Sequence, residues 1–103
     1  MKKNVAIVMG GYSSEHDISV KSGNTVFDNI NCKLFNPYKV IVSNESWDLV
    51  DSNNIKYPIA KDKFNTKIDG LEINFDIAFI MIHGTPGEDG IIQKYFEKLK
   101  IPY

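Results

Sequence analysis

The sequence predicts an α/β fold: a parallel β-sheet flanked by helices, with β-hairpins inserted between the second and third core strands. Two observations set the frame. Residues 5–9 and 77–82 are uniformly apolar runs, and each ends in a glycine-bearing segment followed by residues at helical spacing. Between them, residues 43–75 break into short apolar or aromatic pieces separated by turn clusters. A chain of 103 residues has room for one such domain.

The elements follow in order. Val5-Ala6-Ile7-Val8-Met9 shows no polar alternation, which suits a strand covered on both faces. Gly10-Gly11 ends it. Ser13 and Ser14 offer capping oxygens, and Ser14 with Asp17 approximates a capping box. From there to about Ile30 the spacing is helical, with Ile18, Ser22, Val26 and Ile30 in one row and Ser19, Gly23 and Phe27 in the next. The small residues of the second row allow a close approach to a sheet. Asn36-Pro37 breaks the pattern, and Tyr38 to Val42 reads as the second strand. Asp69-Gly70 is a hairpin signal, because a type I′ turn needs positive φ at both central residues. After Ile82 the chain reads His83-Gly84-Thr85-Pro86-Gly87-Glu88-Asp89-Gly90, and a helix is expected with Ile92, Tyr95, Phe96 and Leu99 on its apolar face and Asp89 at its cap. Ile101-Pro102-Tyr103 opens a further element.

Composition narrows the function classes. The chain is 43% apolar, 12% aromatic and 24% charged, the balance of a globular protein. A net charge of -1 supplies no positive field for nucleic acid or anionic lipid. All twelve basic residues are Lys, so no guanidinium fork is present to grip phosphate or carboxylate. One cysteine, Cys32, excludes an internal disulfide and a cysteine-cluster zinc site. The longest apolar run falls far short of the roughly 20 residues that cross a bilayer. The expectation is a cytoplasmic domain with neither nucleic acid nor membrane as partner.

Right-handed crossovers place the two apolar strands parallel in one sheet, with the first at the point where strand order reverses. The loops after Met9 and after Ile82 should then lie side by side, and Glu15 and His83 should line one crevice. Gly10-Gly11-Tyr12-Ser13-Ser14-Glu15 lacks the glycine spacing of a dinucleotide loop, and a carboxylate at its end repels pyrophosphate. Together Glu15 and His83 could instead receive an amino acid, the carboxylate pairing with the ammonium and the imidazole donating to the carboxylate. Taken singly, Glu15 reads more readily as a helix-dipole partner and His83 as a structural strand-end residue than either does as a ligand contact.

Residues Val5-Ala6-Ile7-Val8-Met9-Gly10-Gly11-Tyr12-Ser13-Ser14-Glu15-His16-Asp17-Ile18-Ser19, with Ser22-Gly23 following, resemble the amino-terminal signature of D-alanine–D-alanine ligases. The segment Phe79 to Gln93, then Ile101-Pro102-Tyr103, resembles the second signature of that family. The resemblance implies a Rossmann-like (pre-ATP-grasp) domain, the first of three in an ATP-grasp ligase. The whole chain, 1–103, would be the substrate-binding domain, with the central and ATP-grasp domains lying outside it. Such enzymes phosphorylate the carboxylate of one D-alanine with ATP. The amine of a second D-alanine then attacks the acylphosphate, giving the dipeptide of peptidoglycan synthesis. By position, the resemblance makes Glu15 the glutamate that holds the first D-alanine's ammonium and joins the hydrogen-bonded group closing a loop over the site. It places His83 beside that substrate and Ile18 against its methyl group. Many members carry Arg where this chain has His16, which leaves the local electrostatics open. ATP and Mg2+ (or Mn2+) would be bound by the other domains, so the chain alone is expected to be inactive. The resemblance also implies a homodimer formed partly through this domain.

Two further readings stand beside this one. One is a ligase joining D-alanine to D-lactate or D-serine, since the second-substrate pocket lies mostly outside the chain. The other is a free-standing Rossmann-like module that binds a small amino acid or docks with a partner. An open frame running past Tyr103 into a glycine-rich ATP-binding loop would separate the ligase from the module.

Overall fold

A computed structural model describes residues 3–12, 16–43, 46–82 and 90–103. The elements are β1 (Lys3–Gly10), α1 (His16–Asn29), β2 (Phe35–Val42), β3 (Trp47–Val50), β4 (Lys56–Pro58), β5 (Asn65–Ile68), β6 (Leu71–Asn74), β7 (Ile77–Ile80) and α2 (Ile91–Lys98). Five strands form one sheet in the order β4-β3-β2-β1-β7, and β5 and β6 pair separately. β1 is parallel to both neighbours, with Val8 opposite Val40 of β2 and Ile80 of β7. The first strand therefore sits where the strand order reverses, as expected.

Burial of β1 explains its uninterrupted apolar run. Val5, Ile7 and Met9 pack with Val20, Val26, Phe27 and Ile30 of α1 and the residue after it. Ala6 and Val8, pointing the opposite way, join Val40, Val42, Leu49, Phe64, Ile92 and Phe96. Each face is a separate core. At the amino end of β1, Asn4 N–H donates to Asp76 Oδ2 at 2.8 Å, and Asp76 N–H returns a bond to Asn4 O at 2.8 Å. This exchange holds the register with β7.

Two details differ from the expected fold, in which the parallel centre is extended beside β2 by the inserted strands β3 and β4 in antiparallel fashion. Their connections are short, and a short turn can only return a strand antiparallel. First, β2 begins at Phe35 and runs through Pro37, not from Tyr38. Pairing with β3 starts only at Lys39, so Pro37 has β1 on one side and no strand on the other, where a residue without an N–H is tolerated. Second, Gly90 rather than Asp89 holds the cap position of α2, with φ 82° and no side-chain cap bond. Ser13 and Ser14, named above as capping residues, lie with Asp89 outside the described residues.

The Asp69-Gly70 turn forms as expected. Ile68 pairs with Leu71, and the two residues between have φ of 51° and 81°. At the other hairpin, Asp51 Oδ1 accepts from the N–H groups of Asn53 and Ile55, both at 2.9 Å, which closes the β3–β4 loop. Residues after α2 return beside β7, where Ala78 N–H donates to Pro102 O at 2.8 Å.

Helix α1 meets the sheet through Ser19 and Gly23, its two buried residues. The row containing Ile18 faces outward at its start, and Ile18 is 58% exposed. A Cβ added at Gly23 would lie 2.7 Å from Met9 Cβ, so the helix rests on the strand's own backbone-proximal atoms. Gly23→Ala gains up to about 1 kcal/mol of helix propensity but overpacks the contact, at a cost of about 1–3 kcal/mol. The expected net result is a lower urea midpoint; a raised midpoint would mean that α1 stands off the sheet.

Candidate functional site

The first turn begins where β1 ends. Gly10 and Gly11 have φ of 100° and 107°, a conformation that side chains resist. At Gly10 there is also no room: an added Cβ would fall 2.4 Å from Val42 O and 2.7 Å from His16 Cε1. Gly11 N–H donates to Val42 O at 2.7 Å, which ties the turn to the end of β2. The double glycine thus lets the chain leave β1 while pressed against both β2 and α1.

His16 opens α1 and folds back on the turn, its Nδ1 lying 3.0 Å from Gly11 O. A carbonyl can only accept, so this contact puts a proton on Nδ1. On the opposite face of the sheet, Trp47 Nε1 donates to Tyr12 Oη at 3.0 Å.

Ser19 joins the two strand ends. Its hydroxyl is fully buried, accepts from Gly10 N–H at 3.0 Å and donates to Met81 O. Met81 N–H in turn donates to Val8 O at 2.7 Å, extending the β1–β7 pairing one residue beyond β7. One side chain therefore bonds the last residue of β1 to the residue two places before His83. Sequence reading assigned Ser19 only a small size. A hydroxyl on the sheet-facing row of a helix must find partners when buried, and that was the available signal.

Of the three residues expected at the site, Glu15 and His83 lie outside the described residues. Ile18 is described, and its exposed side chain on the first turn of α1 is open to contact. What the described residues establish is the frame. Gly10, at the end of β1, and Met81, just beyond β7, lie on neighbouring strands and share one hydroxyl.

A mixed sheet with a parallel centre and a helical crossover from β1 to β2 defines a Rossmann-like domain, a class in which ligands bind beyond the carboxyl ends of the parallel strands. The family model described as D-ala D-ala ligase N-terminus matches residues 4–103. The chain belongs to that family. It is 45% identical over 100 residues to the D-alanine–D-alanine ligase of Flavobacterium johnsoniae, covering 97% of this chain and 31% of the relative. It is 48% identical over 101 residues to that of Azobacteroides pseudotrichonymphae, covering 98% and 31%. Among solved structures, D-alanyl-alanine synthetase A from Vibrio cholerae superposes with a TM-score of 0.82 at 29% identity, over 99% of this chain and 30% of that one. The VanG D-Ala:D-Ser ligase from Enterococcus faecalis gives 0.82 at 27%, over 99% and 35%. The chain spans about a third of the length of these proteins.

Ser19→Ala strips a buried N–H and a partly buried carbonyl of this shared partner. A loss of about 1–3 kcal/mol in unfolding free energy is expected. In amide exchange, Gly10 should lose protection more than Val8. Equal stability with unchanged exchange at Gly10 would show that the hydroxyl does not bridge the strands.

Proposed function

We propose that this chain is the substrate-binding amino-terminal domain of a D-alanine–D-alanine ligase and that it holds the first D-alanine. Glu15 pairs with the ammonium, His83 lies beside the substrate, and Ile18 faces the methyl group. The observation that supports this reading is the Ser19 hydroxyl bonded to both Gly10 and Met81, which holds together the ends of the two strands that precede Glu15 and His83 in the sequence. A zwitterionic amino acid needs an anion for its ammonium and a donor for its carboxylate, and two adjoining loops can supply one each. The exposed Ile18 side chain adds an apolar surface on the first turn of the helix that follows Glu15.

The reaction is dipeptide formation: ATP activates one D-alanine carboxylate as an acylphosphate, and the amine of the second D-alanine displaces the phosphate. This chain contributes positioning of the first substrate. All twelve of its basic residues are Lys, so it offers no guanidinium fork for nucleotide phosphates. ATP and Mg2+ are therefore assigned to the portion that the longer relatives possess. D-alanine is favoured over D-serine or D-lactate as second substrate, because the relatives at 45% and 48% identity bear the D-alanine–D-alanine ligase name. The same matches favour the ligase over a free-standing binding module. Among the described residues no helix is long and apolar enough to cross a membrane. A cytoplasmic homodimer is the proposed working form, in the compartment that supplies ATP.

In a full-length protein carrying this chain, Glu15→Gln forfeits a charge-assisted bond, and the D-alanine KM at the first site should rise roughly 10- to 150-fold. His83→Ala should raise it less. An unmoved KM in Glu15→Gln would remove this carboxylate from the site, and a product other than D-alanyl-D-alanine would correct the substrate assignment.

A further inference from the structure

On the reading given above, that this chain is the amino-terminal domain of a longer ligase, we infer that the outer edge of β7 is a docking edge for the segment that follows Tyr103 in the full-length protein. That segment adds a sixth strand to the sheet, parallel to β7. The relatives at 45% and 48% identity supply the length for it, since the chain covers 31% of each.

The two edges of the five-stranded sheet are built differently. β4, at one end, reads Lys56-Tyr57-Pro58. A lysine and a proline keep further strands off an exposed edge. β7, at the other end, reads Ile77-Ala78-Phe79-Ile80 and carries neither charge nor proline. Among the described residues no strand lies on its outer side. Uniform apolarity belongs instead to a strand inside a parallel sheet. The faces of β7 are unequally filled as well. Ile77 and Met81 pack into the core beneath α1, but Phe79, between them on the same face, is 46% exposed. A groove of about 530 Å³ runs beside the strand, with Phe79, Ile80, Ile82 and Tyr103 among its walls.

The first bond of a sixth strand is already made. Met81 N–H points toward β1 and donates to Val8 O, whereas Ala78 N–H points away and donates to Pro102 O at 2.8 Å. Backbone groups alternate sides along a strand, so Ile80 presents its N–H and carbonyl to the outer edge together with Ala78. Helix α2 lies between β7 and residues 101–103, and a strand that returns through a helical crossover runs parallel. The bonding residues of a parallel ladder are two apart, which fixes the register. The residue directly after Tyr103 donates its N–H to Ala78 O and accepts from Ile80 N–H. Pro102 suits the opening of such a strand, where a missing N–H is tolerated. A second copy of this chain would have to displace Pro102 to use the same edge, so the continuing chain is the better occupant.

The test is residue-resolved amide exchange on a full-length protein carrying this chain, with D-alanyl-D-alanine synthesis assayed on the same sample. Ile80 N–H should exchange roughly 100-fold or more slowly than an open amide, at a rate independent of protein concentration. A scalar coupling across the hydrogen bond, from the Ile80 nitrogen to the carbonyl carbon of the residue after Tyr103, should accompany this protection. An Ile80 amide that exchanges freely overturns the inference. Protection that fades on dilution also overturns it, placing a second copy at the edge. So does protection without the coupling, which places a different segment there. Dipeptide synthesis with a freely exchanging Ile80 removes the sixth strand and leaves the ligase reading standing. Protection and coupling without dipeptide synthesis do the reverse.

Discussion

A single buried hydroxyl, that of Ser19, ties the end of β1 to the residue just beyond β7. Parallel strands diverge at their carboxyl ends, because each must feed a crossover rather than a tight turn. Something must hold β1 and β7 together at the point of departure. The Gly10 N–H and the Met81 carbonyl both meet Ser19 Oγ there, with Met81 N–H still bonded to Val8. The helix carrying Ser19 can come close enough only because Gly23, one turn on, has no side chain to keep it off Met9. A steric choice at one position therefore permits a hydrogen-bonding choice at another.

The first turn is held from both faces of the sheet. On the α1 face, His16 and Ser19 engage the turn and the end of β1. On the α2 face, Trp47 reaches Tyr12 from within an aromatic cluster in which Phe64 meets Phe96 at 4.8 Å and Phe75 at 5.2 Å. Such edge-to-face contacts add geometric preference to apolar burial. The proposed amino-acid substrate is small, so few contacts are available to correct a misplaced turn.

The inserted strands serve this arrangement. β3 and β4 broaden the sheet and place Trp47 at its carboxyl edge, while the β5–β6 hairpin follows Phe64, the residue at the centre of the aromatic cluster. Burial and the nearby charge of Asp62 push the Tyr95 phenol up to about 12, so it remains a hydrogen-bond donor at ordinary pH. The insertion is thus part of the second core, beneath the sheet face opposite α1.

Much of this was legible in the chain itself. Uniform apolarity at residues 5–9 determined a strand with two cores, because polar side chains cannot face either side of a covered sheet. Asp69-Gly70 determined a two-residue hairpin turn, since few other pairs accept positive φ twice. The signatures around Glu15 and His83 determined the family. Tertiary structure alone decided that β3 and β4 join the main sheet, that Pro37 lies within β2, and that Gly90 takes the α2 cap. Each depends on which backbone groups have neighbours, and local patterns do not encode neighbours distant in sequence. The same holds for Ser19 and Trp47. Their types announce a hydroxyl and an indole N–H that must be satisfied when buried, but only the folded arrangement names the partners.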